Sequence, residues 1–254
     1  MRLIPHPLRA LCALAVLTAV AACSGQPAPT PATGEINDPN ERTNRAIHDF
    51  NRGVDRAFFR PASKGYVTIF PPDMVTSFSN FAENLSMPGQ MVNALLQGDM
   101  QTAGNSISRF LLNSTVGFAG LFDPASDWDV IPEVDTDFGE TLHAWGVGEG
   151  AYVELPFLGP SNQRDATGAI VDFYTNPLSF IENLPITNGT VYAEIVRRMG
   201  DRGNFSDTVD SILYESADSY AQARLLYLQA RRFELGQVAE VSEIDPFELD
   251  TEGF

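Results

Sequence analysis

Apolar residues recur every three to four positions along most of this chain, and this spacing predicts a mainly helical protein. The first predicted helix opens at Asp38, whose side chain can act as its N-cap. Its apolar face consists of four residues at helical spacing: Ile47, Phe50, Val54 and Phe58. A second stripe follows the pair of prolines at 71 and 72, and its members are Met74, Phe78, Phe81 and Leu85.

Three residues predict the boundaries of the next two helices. Pro88 is expected to start a third helix, because proline is favoured in the first turn, and Gly98 is expected to end it. Asp99 is then a predicted N-cap for a fourth helix. The apolar side of that fourth helix is made of Ala103, Ile107, Phe110 and Leu111.

The second half of the chain has similar helical patterns and one short strand pattern. Ser161 is a candidate N-cap for a helix that runs to about Tyr174, Asn176-Pro177 is expected to start another short helix, and further patterns follow at 191–199 and 206–215. The last helix is expected from Asp218 to Leu235, with Gly236 as its stop. The strand pattern is confined to the sequence YVELP at 152–156, which is too brief to establish a sheet.

Periodicity alone does not say which environment the apolar faces of these helices meet. They can pack inward as the core of a water-soluble protein, as most amphipathic helices do, or they can lie in a lipid interface. The mature chain has no run of about 20 apolar residues that could span a bilayer. The chain does have 17 phenylalanines, and both environments therefore stay open.

The N-terminal residues are typical of a secretory signal followed by a lipidation site. Two arginines, an apolar run at 11–22 and the sequence Val-Ala-Ala before Cys23 resemble a bacterial lipobox, in which the cysteine is acylated after cleavage. We therefore expect a signal peptide at 1–22, a lipidated Cys23 with a flexible Pro/Ala/Thr-rich tether to 36, and one helical domain at 37–236. Residues 237–254 are expected to form a disordered acidic tail.

Charge and cysteine content exclude several classes of protein. The formal charge is −17, and cleavage after residue 22 changes it to −19, with 14 basic and 33 acidic residues left. Such a chain is not expected to bind nucleic acid. Only Cys23 remains after cleavage, so neither a disulfide framework nor a cysteine metal site is possible.

No motif in the sequence predicts catalysis, a metal site or a cofactor. His48 and His143 lack a metal-ligand spacing, and Ser161 lacks the second glycine of a nucleophile elbow. A triad of Ser161, His143 and Asp165 can be drawn, but the predicted capping role already explains Ser161. The glycines at 146, 148 and 150 lack the Gly-Lys-Ser/Thr ending of a phosphate-binding loop, and prolines rather than a helix follow them.

Several long stretches resemble the MlaA (VacJ) family of outer-membrane lipoproteins. They are FNRGVD at 50–55, VNALLQGD at 92–99, RFLLNSTVGFAGLFDPA at 109–125, DFGETLHAWGVGEGAYVELPFLGPSNQRD at 137–165 and the aromatic helix at 220–233. The resemblance covers the whole predicted domain. It implies a ring-like assembly of short amphipathic helices around a polar lumen, with one glycine-rich hairpin.

The resemblance also implies a function and partners. Members of the family remove mislocalised phospholipids from the outer leaflet of the outer membrane and pass them to a periplasmic lipid carrier, and they associate with trimeric porins. A member would be anchored and embedded at the periplasmic face of the outer membrane. Transport of this kind makes and breaks no bond, so an enzyme is not expected.

The same resemblance assigns site residues. Gly146, Gly148 and Gly150 are expected to form a hairpin at the mouth of the lumen, which acts either as a hinge or as a rigid turn. Trp145 and Tyr152 flank these glycines, and both residue types favour lipid–water boundaries. A gate on the first helix is expected at Phe50 and Asn51, although the nearby Arg42-Thr43 departs from the family's glycine and apolar residue.

Other residues in these stretches are expected to have structural roles, and two other functions stay open. Arg109, Asn113 and the Arg164-Asp165 pair are expected to have structural roles in hydrogen bonding and packing. The alternative functions are a lipoprotein acyl hydrolase that acts on phospholipids through Ser161, and a structural or adhesion lipoprotein with a soluble helical core.

Overall fold

A computed structural model describes residues 36–180 and 189–237 of the chain, and these residues are mainly helical. The predicted signal peptide, Cys23, the tether up to residue 35 and the acidic tail from residue 238 onward lie outside the described residues.

The described residues form ten α-helices, three short π- or 3₁₀-helical turns and two strands. The α-helices are α1 Glu41–Val54, α2 Arg60–Ile69, α3 Pro72–Gln97, α4 Met100–Thr115, α5 Pro124–Asp127, α6 Phe138–Ala144, α7 Gln163–Thr175, α8 Gly189–Asn204, α9 Ser206–Asp210 and α10 Ser219–Glu234. The π-helical turns are Asp55–Phe59 and Ser211–Glu215, the 3₁₀ turn is Pro177–Phe180, and the strands are β1 Tyr152–Leu155 and β2 Gly159–Asn162. Helix α3 packs against α4 and α8, α6 packs against α7, and α10 contacts β2.

Four predicted helix ends are confirmed. The Asp99 carboxylate accepts hydrogen bonds from the backbone N–H groups of Gln101 and Thr102 at the start of α4, and Gly98 ends α3 with a φ of 80°. The Asp218 side chain accepts from the backbone N–H of Ala221 at the start of α10. Gly236, at a φ of 65°, follows the end of that helix. These ends depend on neighbouring residues only, which is why a local pattern predicts them.

The prediction that Pro88 starts a helix is wrong, because Pro88 lies inside the single helix α3. An internal proline removes one backbone hydrogen bond and costs about 3 kcal/mol. Other contacts support the turn that precedes it: the Asn176 amide donates to the Leu85 carbonyl at 3.2 Å, and Ser86 Oγ donates to the Glu83 carbonyl at 2.7 Å. Leu85, Met87 and Pro88 are also buried, so tertiary packing keeps the helix continuous.

The first helix begins later than predicted and continues further. Asn40 occupies the N-cap position, and the helical path runs from α1 through the π-helical turn into α2. Asp38 is therefore not a cap. Its carboxylate instead accepts hydrogen bonds from Asn44, Tyr220 and Arg224, which ties the start of the domain to α10.

The short strand pattern is one half of an antiparallel hairpin that the sequence did not reveal. Tyr152 pairs with Asn162 and Leu155 pairs with Gly159, so the turn of the hairpin lies at 156–158. Ser161 is in β2, and Asn162 caps α7 by accepting from the backbone N–H of Asp165. The prediction that Ser161 is the N-cap is therefore wrong by one residue.

Helix α4 buries its polar side. Its buried residues are Ala103, Ser106, Arg109 and Asn113. On the predicted apolar side, Leu111 is 55% exposed, whereas Ile107 and Phe110 are half-buried. An ordinary water-soluble helix has the opposite arrangement.

The same inversion extends over the described residues. Seventeen polar or charged residues are buried, against twelve apolar ones, and a contiguous buried apolar cluster consists only of Tyr152, Tyr220 and Leu228. Twenty-five large apolar residues in the described ranges are exposed, among them Phe58, Phe118, Phe157 and Phe233, each at 72% or more. So much exposed apolar surface marks a surface that contacts lipid or protein. No helix within 36–180 or 189–237 has both the length and the apolar content to cross a bilayer.

Candidate functional site

The first helix holds the tip of the β-hairpin through Asn51. The Asn51 amide nitrogen donates to the Leu155 carbonyl at 2.9 Å, and its amide oxygen accepts from the Phe157 backbone N–H at 2.8 Å. One side chain therefore fixes both sides of the turn. Phe50, the neighbouring residue, contacts the Phe157 ring edge to face at 5.2 Å between ring centroids. Phe50 and Asn51 therefore both contact the tip of the hairpin.

The hairpin tip is an exposed apolar point that sequence reasoning missed. Phe157 is 72% exposed and Leu158 is 56% exposed. Phe157 also has a φ of 66°, in the left-handed region that bulky residues rarely adopt. Phe118, equally exposed, has a φ of 54° in the loop after α4. Backbone strain of this kind persists where surrounding structure enforces it, often at functional sites, and here it accompanies two protruding aromatic rings.

The three glycines do not form the hairpin themselves. They lie in the connection from α6 to β1, ahead of the hairpin turn, so the predicted position of the hairpin is wrong. Gly146 ends α6: its N–H donates to the His143 carbonyl and the next N–H donates to the Leu142 carbonyl, at 2.8 and 2.9 Å. Its φ of 86° suits this helix-terminating motif, which favours glycine.

Gly150 is equally constrained, whereas Gly148 is not. Gly150 has a φ of 72°, and a Cβ atom there would lie 2.7 Å from Gln163 Oε1. That oxygen accepts from the Ala151 N–H at 3.1 Å, so it is held in place. Gly148 has an ordinary φ, and nothing lies within 4 Å of its Cβ position. Of the two interpretations, a rigid turn therefore fits Gly146 and Gly150, and a hinge fits Gly148 only.

Alanine replacements separate these roles. We expect Gly150→Ala to lower the free energy of unfolding by about 1–2 kcal/mol, because alanine is strained at positive φ and displaces Gln163. Gly148→Ala is expected to change it by less than about 0.5 kcal/mol. Denaturant titration in detergent micelles measures both, and an equal loss for the two variants contradicts this assignment.

Trp145 and Tyr152 have different environments. Trp145 is 54% exposed, and its indole N–H donates to the Leu96 carbonyl at 3.0 Å, as expected for a ring at an interface. Tyr152 is buried at 1% exposure, and its ring packs on Tyr220 with 5.8 Å between centroids. Its hydroxyl donates to Glu154. The expectation that Tyr152 lies at a lipid–water boundary is therefore wrong, because its ring and its hydroxyl both have partners inside the fold.

Buried side-chain networks join α4 to the segment around α5, and α7 to α10. The Arg109 guanidinium donates to the Asp123 carboxylate, to Ser126 Oγ and to the Ile131 carbonyl, all at 2.7–2.8 Å, and Asn113 donates to the same carboxylate. The Asp165 carboxylate accepts from Arg164, Tyr227 and Arg231. Burial raises the pKa of Asp165, but hydrogen bonds from Arg164 and Tyr227 and the nearby arginine charges outweigh it and lower the pKa. The structural roles expected for these residues are confirmed.

The triad drawn from the sequence is not assembled. Ser161 Oγ bonds to the carbonyl of Asn162, and the Asp165 carboxylate is engaged by two arginines and a tyrosine. Within the described ranges, no hydrogen bond joins His143 to either of them. Among the described residues, no three or more His, Cys, Asp or Glu side chains lie together in a way that could hold a metal ion.

Asp218 links α1 to α10 and carries an acid-sensitive contribution to stability. Hydrogen bonds from Arg45 at 2.9 and 3.0 Å, and from the Ala221 N–H, lower the pKa of Asp218 to about 2. A lowered carboxyl pKa stabilises the fold above the ordinary value, and that stability is lost as the pH falls toward 2. The pair is exposed, so its contribution is expected to be below about 1 kcal/mol.

Asp218→Asn removes this charge and keeps a good N-cap. We expect the variant to melt at a lower temperature than the unchanged chain at pH 6, and the difference to shrink between pH 4 and pH 2. Thermal unfolding followed by circular dichroism measures it. A difference that stays constant over that pH range contradicts the role of the Asp218 charge.

Comparison with known proteins places the chain in a family. The sequence profile described as MlaA lipoprotein matches residues 36–234. A protein of Rickettsia bellii is 35% identical over 198 residues, which cover 78% of this chain and 76% of that protein. The intermembrane phospholipid transport system lipoprotein MlaA of Escherichia coli K12 is 33% identical over 217 residues, which cover 84% of this chain and 82% of that protein.

A solved structure supports the same relationship. One chain of a solved structure, described as the structural basis for maintenance of bacterial outer membrane lipid asymmetry, superposes on this protein with a TM-score of 0.65. The two chains are 31% identical in sequence. The superposition covers 78% of this chain and 98% of the other.

Proposed function

This chain belongs to the MlaA lipoprotein family, and from that premise we propose that it is an outer-membrane lipoprotein that maintains lipid asymmetry. It removes mislocalised phospholipids from the outer leaflet and passes them toward a periplasmic carrier. The names of its relatives, which refer to phospholipid transport and to outer-membrane lipid asymmetry, support this proposal.

The observation that carries the proposal is the inverted distribution of polarity. Buried positions of α4 are occupied by Ser106, Arg109 and Asn113, whereas phenylalanines such as Phe118 and Phe122 face outward. A protein in water has no physical reason for this arrangement, since exposed apolar surface costs about 25 cal/mol per Å². A protein surrounded by hydrocarbon does have one, because the bilayer solvates the apolar faces.

A polar interior also suits the cargo. A phospholipid headgroup carries a phosphate, and moving that charge through hydrocarbon is expensive unless polar groups accompany it. We propose that the helices form a ring around a polar lumen through which headgroups pass while acyl chains remain in lipid. Acyl chains on Cys23 would hold this ring at the periplasmic face of the membrane.

We propose that the connection from α6 to β1, which contains the three glycines, changes conformation at the mouth of this lumen. Gly146 and Gly150 are fixed by the backbone geometry on either side, and Glu149 binds Arg232 on α10 through its carboxylate. The one unconstrained glycine, Gly148, lies between them. A pivot at Gly148 would let the end of α6, with the exposed Trp145, move relative to the hairpin once the hydrogen bond from the indole to the Leu96 carbonyl opens.

Transport assigns the chain no bond-making step, in agreement with its relatives being named as transport lipoproteins. The porin trimer and the periplasmic carrier are proposed partners. Purification of the lipidated chain from outer membranes tests the first: the porin trimer is expected to leave the membrane with it. Detergent-free solubility after Cys23→Ala would instead favour a scaffolding lipoprotein with an ordinary soluble core.

The experiment that tests transport is complementation. In a Gram-negative strain that lacks its own member of the family, expression of this chain should lower the phospholipid content of the outer leaflet. Gly148→Val, which restricts the proposed pivot at a position where nothing lies within 4 Å of the added Cβ atom, should lower clearance while the melting temperature stays unchanged. Outer-leaflet phospholipid that stays high with a normally folded, membrane-located protein contradicts the proposed function, and full clearance by Gly148→Val contradicts the hinge alone.

A further inference from the structure

Three side chains from separate elements meet beneath an open depression beside α10. They are His48 of α1, Glu154 of β1 and Ser219, the first residue of α10. His48 Nε2 lies 3.0 Å from Ser219 Oγ, and His48 Nδ1 lies 3.3 Å from Glu154 Oε1. The three residues are 3–7% exposed. Sequence reasoning missed the cluster because 106 and 171 positions separate its hydrogen-bonded partners.

The surrounding donors give this chain of hydrogen bonds one consistent direction. Arg52 Nη1 donates to Ser219 Oγ at 3.3 Å, which leaves the serine proton free to point at His48 Nε2. Glu154 accepts from the Tyr152 hydroxyl and, at 3.4 Å, from the Asn51 amide. A carboxylate can only accept, so His48 Nδ1 donates to it and Nε2 is left as the acceptor.

These roles are those of a serine hydrolase. A carboxylate orients the imidazole, the imidazole nitrogen on the far side faces a serine hydroxyl, and that nitrogen can take the serine proton during attack. The arrangement is recognised by geometry and not by the order of residues in the chain. Arg52, which already donates to Ser219 Oγ, could also stabilise negative charge that develops on an attacked carbonyl group.

The depression gives the serine an approach. Its volume is about 290 Å³, and its lining includes His48 and Ser219 together with Arg45, Arg52, Asp49 and Tyr220. Asp218 also lines the depression, and each guanidinium group is paired with a carboxylate: Arg45 with Asp218 at 2.9 Å and Arg52 with Asp49 at 3.1 Å. This polar lining with both charges suits a head group that carries both a phosphate and an ammonium better than it suits an acyl chain. A phosphate placed against Arg52 would bring the rest of its molecule beside Ser219.

We propose that Ser219, His48 and Glu154 form a hydrolytic site for carboxylic esters of phosphorylated alcohols, the chemical class of lysophospholipids. Ser219 Oγ bonds to the ester carbonyl carbon and its proton passes to His48. The ester C–O bond breaks, and the departing alcohol oxygen takes that proton. Water then bonds to the acyl carbon and gives a proton to His48, the bond between that carbon and Ser219 Oγ breaks, and Oγ takes the proton back. One ester and one water thus give one carboxylic acid and one alcohol.

This activity lies beyond transport and departs from the expectation that the chain makes and breaks no bond. It also replaces Ser161, the serine considered from the sequence. Ser161 is a matched control, because both serines are 7% exposed but only Ser219 contacts a histidine.

The test uses the purified, lipidated full-length protein with 1-acyl-lysophosphatidylethanolamine, whose head group carries a phosphate and an ammonium, and release of fatty acid is measured. A fluorophosphonate probe is added in parallel, and the labelled peptide is identified by mass spectrometry. We expect release by the unchanged chain and by Ser161→Ala, and labelling at Ser219. Ser219→Ala and His48→Asn should reduce release to the rate without protein.

Circular dichroism establishes that each variant is folded. Ser219→Ala removes one oxygen atom, so it is expected to fold even where His48→Asn does not. Absence of both release and labelling from the folded, unchanged chain overturns the proposal, as does full release by Ser219→Ala. Clearance of outer-leaflet phospholipid in cells is measured separately, and we expect Ser219→Ala to retain it, so failure of hydrolysis and failure of transport are distinguishable.

Discussion

Arg109→Met is expected to lower the free energy of unfolding by about 3–5 kcal/mol, the typical cost of removing one partner of a buried ion pair. Arg109 is 3% exposed and holds Asp123, Ser126 and the Ile131 carbonyl together. Methionine has a similar length but no donors, so the Asp123 carboxylate loses its cation and a carbonyl loses its donor. Denaturant titration in detergent micelles measures the change.

Arg198→Met is the matched control for this experiment. Arg198 is also a helical arginine paired with an acid, Glu194 at 2.7 Å, but its side chain is 46% exposed. Its loss is expected to cost less than about 1 kcal/mol. Equal losses of unfolding free energy for the two variants would contradict the claim that the buried Arg109 network stabilises the fold more than an exposed ion pair does.

Phe118→Lys combined with Phe122→Lys is expected to weaken membrane partitioning strongly while the fold survives. Both rings are exposed, at 72% and 59%, in the loop after α4. Each lysine costs about 2.5–3.5 kcal/mol deep in hydrocarbon and less near the interface, so a combined loss of roughly 100-fold or more is expected. The measurement is flotation of the Cys23→Ala chain with phospholipid vesicles, since the acyl anchor would mask the effect.

Asn37→Lys combined with Thr43→Lys adds the same charge at exposed polar positions around the start of α1, where no exposed large apolar residue of the described ranges lies within four positions, and serves as the control. This pair is expected to leave partitioning nearly unchanged. Partitioning that falls equally in both double variants would point to a general effect of charge. Partitioning that is unchanged in the phenylalanine variant would mean that the loop after α4 does not enter lipid.

Local chemistry made part of this fold predictable from the sequence. Asp99 and Gly98 act on the backbone within a few residues, so their roles can be inferred without a structure. Pro88 misled the prediction, because the proline penalty is local whereas the contacts from Asn176 that offset it come from 91 residues away.

The orientation of the helices could not be predicted, since a period of 3.6 residues defines two faces without saying which one is buried. In α4 the polar face turned out to be inside. Tyr152 is a second case: its type suggests an interface, but Tyr220 and Glu154 enclose it.

The candidate site was predictable only as far as the resemblance reached. Phe50, Asn51 and the glycines were indicated by family motifs, but the contact of Asn51 with the hairpin tip required the fold. The pairing of His48 with Ser219 joins residues far apart in the chain, and neither residue lies in a motif that indicates the other.

The central claim is that the exposed apolar faces of these helices lie in lipid, and the two tryptophans of the chain test it most directly. Trp128 and Trp145 are both exposed, at 59% and 54%. The measurement is the tryptophan fluorescence of the Cys23→Ala chain, with Trp128→Phe and Trp145→Phe as single-probe variants, in vesicles whose acyl chains carry bromine. We predict that bromine quenches the fluorescence of each remaining tryptophan. Unquenched fluorescence from a folded chain that stays in the aqueous fraction would contradict the account.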